Sequence, residues 1–450
     1  MVVLGLARQG KALARYLAAR GAQVTVSDLK PAAALQSERD ELSDLPLRFA
    51  LGGHPPALID QADLVCLSGG VPADLPLARQ AAARGLALSN DSQIFLEACP
   101  APTIAITGSA GKTTTTALVG AIAERALAGS GRRAWVGGNI GRPLLAELPS
   151  IQPADWVVLE LSSFQLELMT RSPHVAAVLN LTPNHLDRHR TMQAYSEAKA
   201  RILDFQAPGD VAVLGRDDAG AWALRWRVRG RLLSFGAGRP AAGEGAFLAG
   251  GRLWLRDEVR EAAVCPLEAV PLRGAHNLLN VAAACTLAQA AGFEPAAMDE
   301  AVRAFRGVPH RLEFVRRVRG ADWYNDSIAT APERALAAIQ AFDEPLVLLA
   351  GGRDKDLPWQ VLARAIAARV DHLVIFGEAA GKILAAIAAA AGSRPETIEV
   401  APTLEAAVQA AARRARPGDV VLLAPGGTSF DEFVDFAARG ERFRALVEAL

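Results

Sequence analysis

"TIAITGSAGKTTTT" occupies residues 103–116. A β-branched apolar run, a turn of small residues and the helical stretch "TTTTALVGAIAERAL" follow one another, which predicts strand, loop and helix. The glycines let the backbone wrap an anion, and the start of the helix offers free N–H groups and the positive end of its dipole. The spacing is G-x-x-G-K-T, shorter than the usual phosphate loop G-x-x-x-x-G-K-[ST]. On this reading Gly108, Ser109, Ala110, Gly111, Lys112, Thr113 and Thr114 cradle the phosphates of a nucleotide. Lys112 reaches the outer phosphates, and the Thr113 hydroxyl ligates Mg2+. The competing reading is a structural turn that happens to contain a lysine.

Moving outward, "WVVLEL" (156–161) and "VAAVLNL" (175–181) read as further buried parallel strands. Glu160 falls close to the end of the first, where a carboxylate is costly unless paired or metal-bound; a capped edge residue fits the pattern equally well. His185 and Asp187, in "LNLTPNHLDRH" (179–189), lie just beyond the second. The carboxyl ends of adjacent parallel strands converge on the ligand crevice, so Thr113, Glu160 and His185 together predict a cation site beside the loop. Tyr195 and Lys199 stand one turn apart on the helix "AYSEAKARILDF" (194–205), with a solvated face as the default environment for the lysine.

The rest of the chain repeats the α/β rhythm. "VVLGLA" (2–7), "QVTVSD" (23–28) and "DLVCLS" (63–68) predict a doubly wound unit with a crossover helix closed by Gly21. The turn "GLARQG" (5–10) resembles a dinucleotide fingerprint with Ala7 in place of its middle glycine, and Asp28 stands where such enzymes keep a ribose acid. "LVLLAGG" (346–352), "HLVIFGE" (372–378) and "DVVLLAPGG" (419–427) predict a second open sheet, after a boundary near "FRGVPHRLEFV" (305–315). The expected division is therefore 1–98, 99–307 and 308–450. The first strand starts abruptly, as if residues preceded Met1.

Composition narrows the class. The chain has 450 residues, 51% hydrophobic and 21% charged, with a formal net charge of zero. No basic excess points to nucleic acid, and an anionic ligand must be caught by local sites. The four cysteines show neither metal-like nor disulfide-like spacing, which suits a reducing cytoplasm. No apolar run is long enough to span a bilayer. An intracellular enzyme is expected.

A set of motifs in fixed order then carries a resemblance: "TGSAGKTTTT", "GGNIGRPL" (137–144), "LELSSFQLE", "LNLTPNHLDRH", "AYSEAKARI", "GAHNLLNVAAA", "GVPHRLE" and "YNDSIAT". Over essentially its whole length the chain resembles the Mur ligases, and most of all their glutamate-adding branch. The resemblance implies three α/β domains: a Rossmann-like UDP-binding domain, a central phosphate-loop ATPase-like domain and a C-terminal Rossmann-like domain. It implies an ATP-dependent ligase of cytoplasmic peptidoglycan precursor synthesis. Such an enzyme phosphorylates the carboxylate of UDP-N-acetylmuramoyl-L-alanine, and glutamate attacks the acyl phosphate to form an amide.

Residue by residue, Lys112, His185 and Lys199 match catalytic positions. Thr113 and Glu160 match ligands of one Mg2+, and His185 a ligand of a second. Lys199 matches a lysine that is carbamylated in the family. Asn277, Asn280, Arg311 and Asp326 match ATP-side residues. Gly5, Leu6, Ala7, Arg8, Asp28, Lys30, Ser68 and Asn139 match the UDP-sugar side. Thr330, Lys355, Ser429, Phe430 and Phe436 match the acceptor pocket, reached through "NDSIATAPE" (325–333) and "APGGTSFDEFVDFAARG" (424–440). The partners implied are small molecules, with no nucleic acid, no membrane span and a monomeric chain. Two positions depart from the pattern. Ile328 stands where many glutamate-adding members carry lysine, which throws acceptor charge onto Lys355 and leaves D-glutamate the expected acceptor with L-glutamate as the alternative. Ala110 replaces a frequent asparagine. The rival readings are a folylpolyglutamate-type ligase, which leaves the N-terminal unit without a role, an NAD-dependent oxidoreductase, and a non-catalytic nucleotide-binding regulator.

Overall fold

The computed structural model describes Met1 to Leu450 except Arg142, Ala391, Ser393 and Arg394, with Asp187 described by its backbone alone. The chain divides into two compact units, Met1–Phe305 and Arg306–Leu450. Among the described residues, three sheets form.

The first sheet holds β1 (Val2–Leu4), β2 (Thr25–Asp28), β3 (Arg48–Leu51), β4 (Leu64–Leu67) and β5 (Ala87–Asn90), all parallel, in the order β3-β2-β1-β4-β5. Chain direction across the sheet reverses between β1 and β4, so the crevice opens at their carboxyl ends, at Gly5–Arg8 and Ser68. The sharp exit from β1 depends on two glycines. Gly5 has φ +92°, and a Cβ on Gly10 would lie 1.8 Å from the Gly5 carbonyl oxygen. The helix Arg8–Ala19 can therefore rest directly on the turn.

The second sheet is wider. It contains β6 (Thr103–Thr107), β7 (Ala134–Gly138), β8 (Trp156–Glu160), β9 (Val175–Val178), β10 (Val211–Gly215), β11 (Arg231–Phe235), β12 (Glu244–Ala249), β13 (Arg252–Arg256) and β14 (Glu261–Pro266). Their order is β14-β13-β12-β11-β10-β9-β6-β8-β7, parallel except at the β12–β13–β14 hairpins. β6 is covered on both faces, and Ile104, Ala105 and Ile106 are fully buried. Against it the helix Lys112–Leu127 buries Leu118, Val119, Ile122 and Ala123, backed by the helix Ala275–Ala290. Each large side chain so buried contributes roughly 1.5–3 kcal/mol of transfer free energy. This packing fixes β9, β6 and β8 side by side, with their carboxyl ends at one rim.

The second unit has one sheet: β15 (Glu313–Val318), β16 (Ala321–Asn325), β17 (Leu346–Gly351), β18 (Val370–Phe376), β19 (Thr397–Ala401) and β20 (Val420–Gly426), in the order β15-β16-β20-β17-β18-β19. Only β15 is antiparallel to its neighbour. The carboxyl ends of β16, β20 and β17 are therefore adjacent, and the loops leaving them meet.

Candidate active site

The phosphate loop connects β6 to the helix Lys112–Leu127, with Gly111 in the left-handed region at φ +83°. Two of its amides are already engaged. The Ser109 N–H donates to the Asn180 carbonyl at 2.9 Å. The Ala110 N–H donates to Asn180 Oδ1 at 2.8 Å, and Asn180 Nδ2 donates back to the Ala110 carbonyl at 3.1 Å. Ser109 Oγ donates to the Thr182 carbonyl at 2.9 Å and accepts from the Thr182 N–H and from the Tyr195 hydroxyl, at 2.9 and 3.0 Å. The donors left to face an anion are those of the first helical turn, which have no intrahelical acceptor. Lys112 Nζ donates to the carbonyls of Gly108 and Ser109, at 2.8 and 3.2 Å. From the other side, Asn280 packs on the loop: a Cβ on Gly111 would sit 2.2 Å from its Oδ1. Asn280 Nδ2 in turn donates to Asn277 Oδ1 at 3.0 Å, so both asparagines stand at the loop.

Glu160 ends β8 and is 2% exposed. Its Oε1 accepts from Asn139 Nδ2 at 2.9 Å, while its Oε2 is buried without a hydrogen-bond partner. Gly138 makes this approach possible, because a Cβ there would lie 2.3 Å from the Glu160 carbonyl oxygen. A buried carboxylate oxygen with no donor is costly unless a cation meets it. Among the described residues no three His, Cys, Asp or Glu side chains cluster as a self-contained metal site. A carboxylate oxygen at the end of the strand beside the loop suits Mg2+ completed by substrate phosphates.

Lys199 departs from the solvated face expected for it. It is 2% exposed, and its Nζ donates to Thr107 Oγ1 at 3.1 Å and to the Gly108 carbonyl at 2.9 Å. On the helix Met192–Asp204, Tyr195, Ala198, Lys199 and Ile202 form one buried stripe. Burial, followed by the Lys112 charge, pushes the Lys199 ammonium down to about 6, with Glu160 pulling the other way.

His185 stands at the mouth of the same rim, exposed and left-handed at φ 53°, with its ring edge-on to Phe164 at 5.3 Å. The side chain of Asp187, expected near it, lies outside the described residues. His189 is buried between Ser163 Oγ, 2.9 Å from Nε2, and Glu167 Oε1, 3.1 Å from Nδ1. Glu167, Arg188, His189 and Arg201 border a cavity of about 700 Å3 that reaches Asp74 and Arg79; Lys112, Glu160 and Lys199 are not among its lining residues.

At the crevice of the first sheet, Asp28 braces the turn rather than standing free. Its Oδ2 accepts from the Leu6 N–H at 2.8 Å and its Oδ1 from the Lys30 N–H at 2.9 Å. Ser68 is buried beneath Gly5, whose Cβ would come within 3.0 Å of the serine Cβ. Arg8 Nη1 reaches the Gly141 carbonyl at 2.6 Å, which ties the turn to the segment after β7 that carries Asn139. Lys30 is exposed.

In the second unit, Asp326 is buried just past β16. Its Oδ1 accepts from the Leu312 N–H at 3.0 Å. Burial raises its carboxyl to about 6 against the pull of that N–H and of Arg311 and Arg334. Arg311 is exposed between two left-handed residues, His310 (φ 63°) and Leu312 (φ 43°). Thr330 and Ser429 leave β16 and β20; Ser429 is buried and Thr330 half-buried. Lys355 is exposed on the loop after β17. Phe436 is half-buried, with its ring 6.3 Å from that of His310, whereas Phe430 is 59% exposed.

Sequence reasoning missed Asn180, the hydroxyls of Thr107 and Tyr195, and Arg439. Asn180 was visible as a polar residue between leucines at a strand end. Arg439 was visible as a cation on the apolar stripe Phe436, Gly440, Phe443 and Val447 of the helix Phe436–Glu448.

Comparison with known proteins matches residues 1–89 to the Mur ligase MurD-like N-terminal domain, 106–288 to the Mur ligase middle domain and 310–427 to the Mur ligase glutamate ligase domain. The UDP-N-acetylmuramoylalanine–D-glutamate ligase of Symbiobacterium thermophilum is 42% identical, over all of this chain and 97% of that one. Its namesake from Pelotomaculum thermopropionicum is 40% identical, again over 100% and 97%. Among solved structures, the UDP-N-acetylmuramate–alanine ligase of Thermotoga maritima aligns over 100% of this chain and 99% of its own, with a TM-score of 0.57 at 19% identity. MurF of Acinetobacter baumannii aligns over 95% and 92%, with a TM-score of 0.58 at 18% identity. These two likenesses concern the fold.

Proposed function

The chain belongs to the Mur ligases, and on that ground we propose that it joins D-glutamate to UDP-N-acetylmuramoyl-L-alanine at the expense of ATP. The observation that carries this reading is an unpartnered Glu160 oxygen at the end of β8 together with a Lys199 amine buried against Thr107 and Gly108 at the end of the adjacent β6. An acyl-activating site needs phosphates held still and charge neutralised where it develops. The first-turn amides and Lys112 hold the ATP phosphates, with Asn277 and Asn280 closing on the loop. Glu160 and Thr113 would hold one Mg2+ and His185 would share in a second. Bound there, Mg2+ supplies Lewis-acid polarisation and screens the γ-phosphate from the attacking carboxylate.

Lys199 serves best once modified. An uncharged amine adds carbon dioxide: its nitrogen bonds the carbon, a proton leaves, and a neutral side chain becomes an anionic carbamate. That would turn a lysine that donates to the Gly108 carbonyl into an oxygen donor able to hold the second metal. The crevice at Gly5–Arg8, Asp28, Lys30 and Ser68, with Asn139, takes the UDP-sugar. Arg311 and Asp326 take part on the ATP side, while Thr330, Lys355, Ser429, Phe430 and Phe436 receive glutamate. Phe430 and Lys355 are exposed and contribute through the bound amino acid. The names of the relatives favour the D enantiomer over the L.

The test is incubation with ATP, UDP-N-acetylmuramoyl-L-alanine and each glutamate enantiomer, followed by ADP and product mass. The expected outcome is ADP formation that requires both the sugar nucleotide and D-glutamate. Turnover with L-glutamate alone would correct the stereochemistry; no new amide with either would overturn the reading.

A further inference from the structure

Arg439 lies on the helix Phe436–Glu448 and is fully buried, at 0% exposure. Its acceptors are carbonyls and a hydroxyl. Nε donates to Ser327 Oγ at 3.0 Å, Nη1 to the Thr428 carbonyl at 3.0 Å, and Nη2 to the Ser327 and Gly427 carbonyls at 2.9 and 3.2 Å. Asp431 and Glu432 act on it only through space. A buried cation whose contacts are neutral keeps a net charge inside the fold, a costly arrangement that calls for a return.

The oxygens it grips belong to the loops leaving β16 and β20. Ser327 precedes Ile328 and Thr330, and its hydroxyl donates to the Phe436 carbonyl at 2.7 Å. Gly427 and Thr428 precede Ser429. The loop leaving β17 is held at the same point: Arg353 and Thr428 exchange N–H···O bonds at 2.8 Å in both directions. A Cβ on Gly352 would lie 2.1 Å from the Thr428 carbonyl oxygen and 2.8 Å from Arg439 Nη1. One guanidinium thus lies where three strand-end loops meet, the loops that carry Thr330, Ser429 and Lys355.

We propose that Arg439 is a positioning residue for the amino-acid acceptor: it fixes those three loops relative to one another and supplies a buried positive charge that favours a dicarboxylate. This rests on the glutamate-ligase reading above and deepens it. A planar fork is needed, because a lysine ammonium cannot reach acceptors spread over three residues in fixed directions. Oriented loops and a local field of the right sign lower the KM of the charged acceptor more than they alter the chemical step.

The experiment compares wild type, Arg439→Lys and Ser327→Ala in the full reaction, with separate KM values for D-glutamate, ATP and the sugar nucleotide, and thermal unfolding alongside. Arg439→Lys is expected to raise the KM for glutamate about tenfold, with kcat and the KM for ATP within about threefold. Ser327→Ala, which removes one arm of the clamp, should raise it about threefold. The inference is overturned if glutamate KM stays within about twofold of wild type in the variants that fold, or if all three KM values climb together as the unfolding temperature falls. Should Arg439→Lys fail to fold, Ser327→Ala decides alone by the same criterion. A wild-type chain that never forms ADP with glutamate would instead sink the ligase reading, and this inference with it.

Discussion

Two cations are buried beside loops that end parallel strands, and their surroundings treat them in opposite ways. Lys199 donates to a hydroxyl and a carbonyl, and burial brings its ammonium down to about 6. Arg439 donates to three carbonyls and a hydroxyl, and burial lowers it only to about 10. The ammonium is a compact, strongly hydrated charge, so losing water costs it most; the guanidinium spreads its charge over five donors and keeps it. The lysine therefore stays available for covalent chemistry, while the arginine is a fixed charge that orders backbone. Burial alone does not say which role a cation plays; the number and geometry of its acceptors do.

That contrast can be broken most directly at the lysine's own site. Glu160→Ala or Lys112→Ala should lower turnover by about a thousandfold or more with an unchanged circular dichroism spectrum. Activity within about tenfold of wild type would separate the rim of β6 and β8 from the chemistry. A substitution series at Lys199 sharpens the comparison. Lys199→Ala should lose about a hundredfold or more, and added acetate should restore part of it if its oxygens stand in for the proposed carbamate. Lys199→Arg carries a positive charge, cannot add carbon dioxide, and should stay inactive with or without acetate. An active arginine variant would mean that the position asks only for a cation.

The smallest effect concerns stability. In the unfolded chain Lys199 titrates near its ordinary 10.5, whereas the folded chain holds it near 6. Between those values the unfolded state binds more protons, so stability rises with pH across that window and is lost as pH falls through it. In buffer free of carbon dioxide, Lys199→Met should therefore melt a few degrees higher than wild type near neutral pH, by a few kcal/mol. The two curves should converge above pH 10.5. A constant offset across the range would show that the lysine is charged when folded.

The strands most plainly legible from sequence include the nearly or fully buried ones. Residues 103–107, 156–161, 175–181, 346–352 and 419–427 are continuous apolar runs ending in small or polar residues, because parallel strands are covered on both faces. Strands missing from that reading, such as β7, β14 and β19, have half-buried or alternating residues and lie at or near sheet edges. The motifs identified which residues gather at the loop, yet not how they are wired. The motif places Asp28 at the crevice but does not reveal that its carboxylate also accepts from the Leu6 and Lys30 amides. For Lys199 the helix pattern alone offers a solvated face as the default, whereas the buried stripe it shares with Tyr195 and Ile202 takes it inward. Hydrogen-bond partners distant in sequence, such as Asn180 for the loop and Ser327 for Arg439, leave no periodic trace.

The bracing of the phosphate loop by Asn180, Ser109 and Tyr195 has a consequence for recognition. Because the turn is held in shape by the protein's own groups, its conformational freedom is lost during folding and need not be lost again when a nucleotide arrives. A nucleotide then meets a cradle already assembled, with Lys112 resting on the Gly108 and Ser109 carbonyls. A change at position 180 or 195 would accordingly be felt by a triphosphate that neither side chain needs to touch.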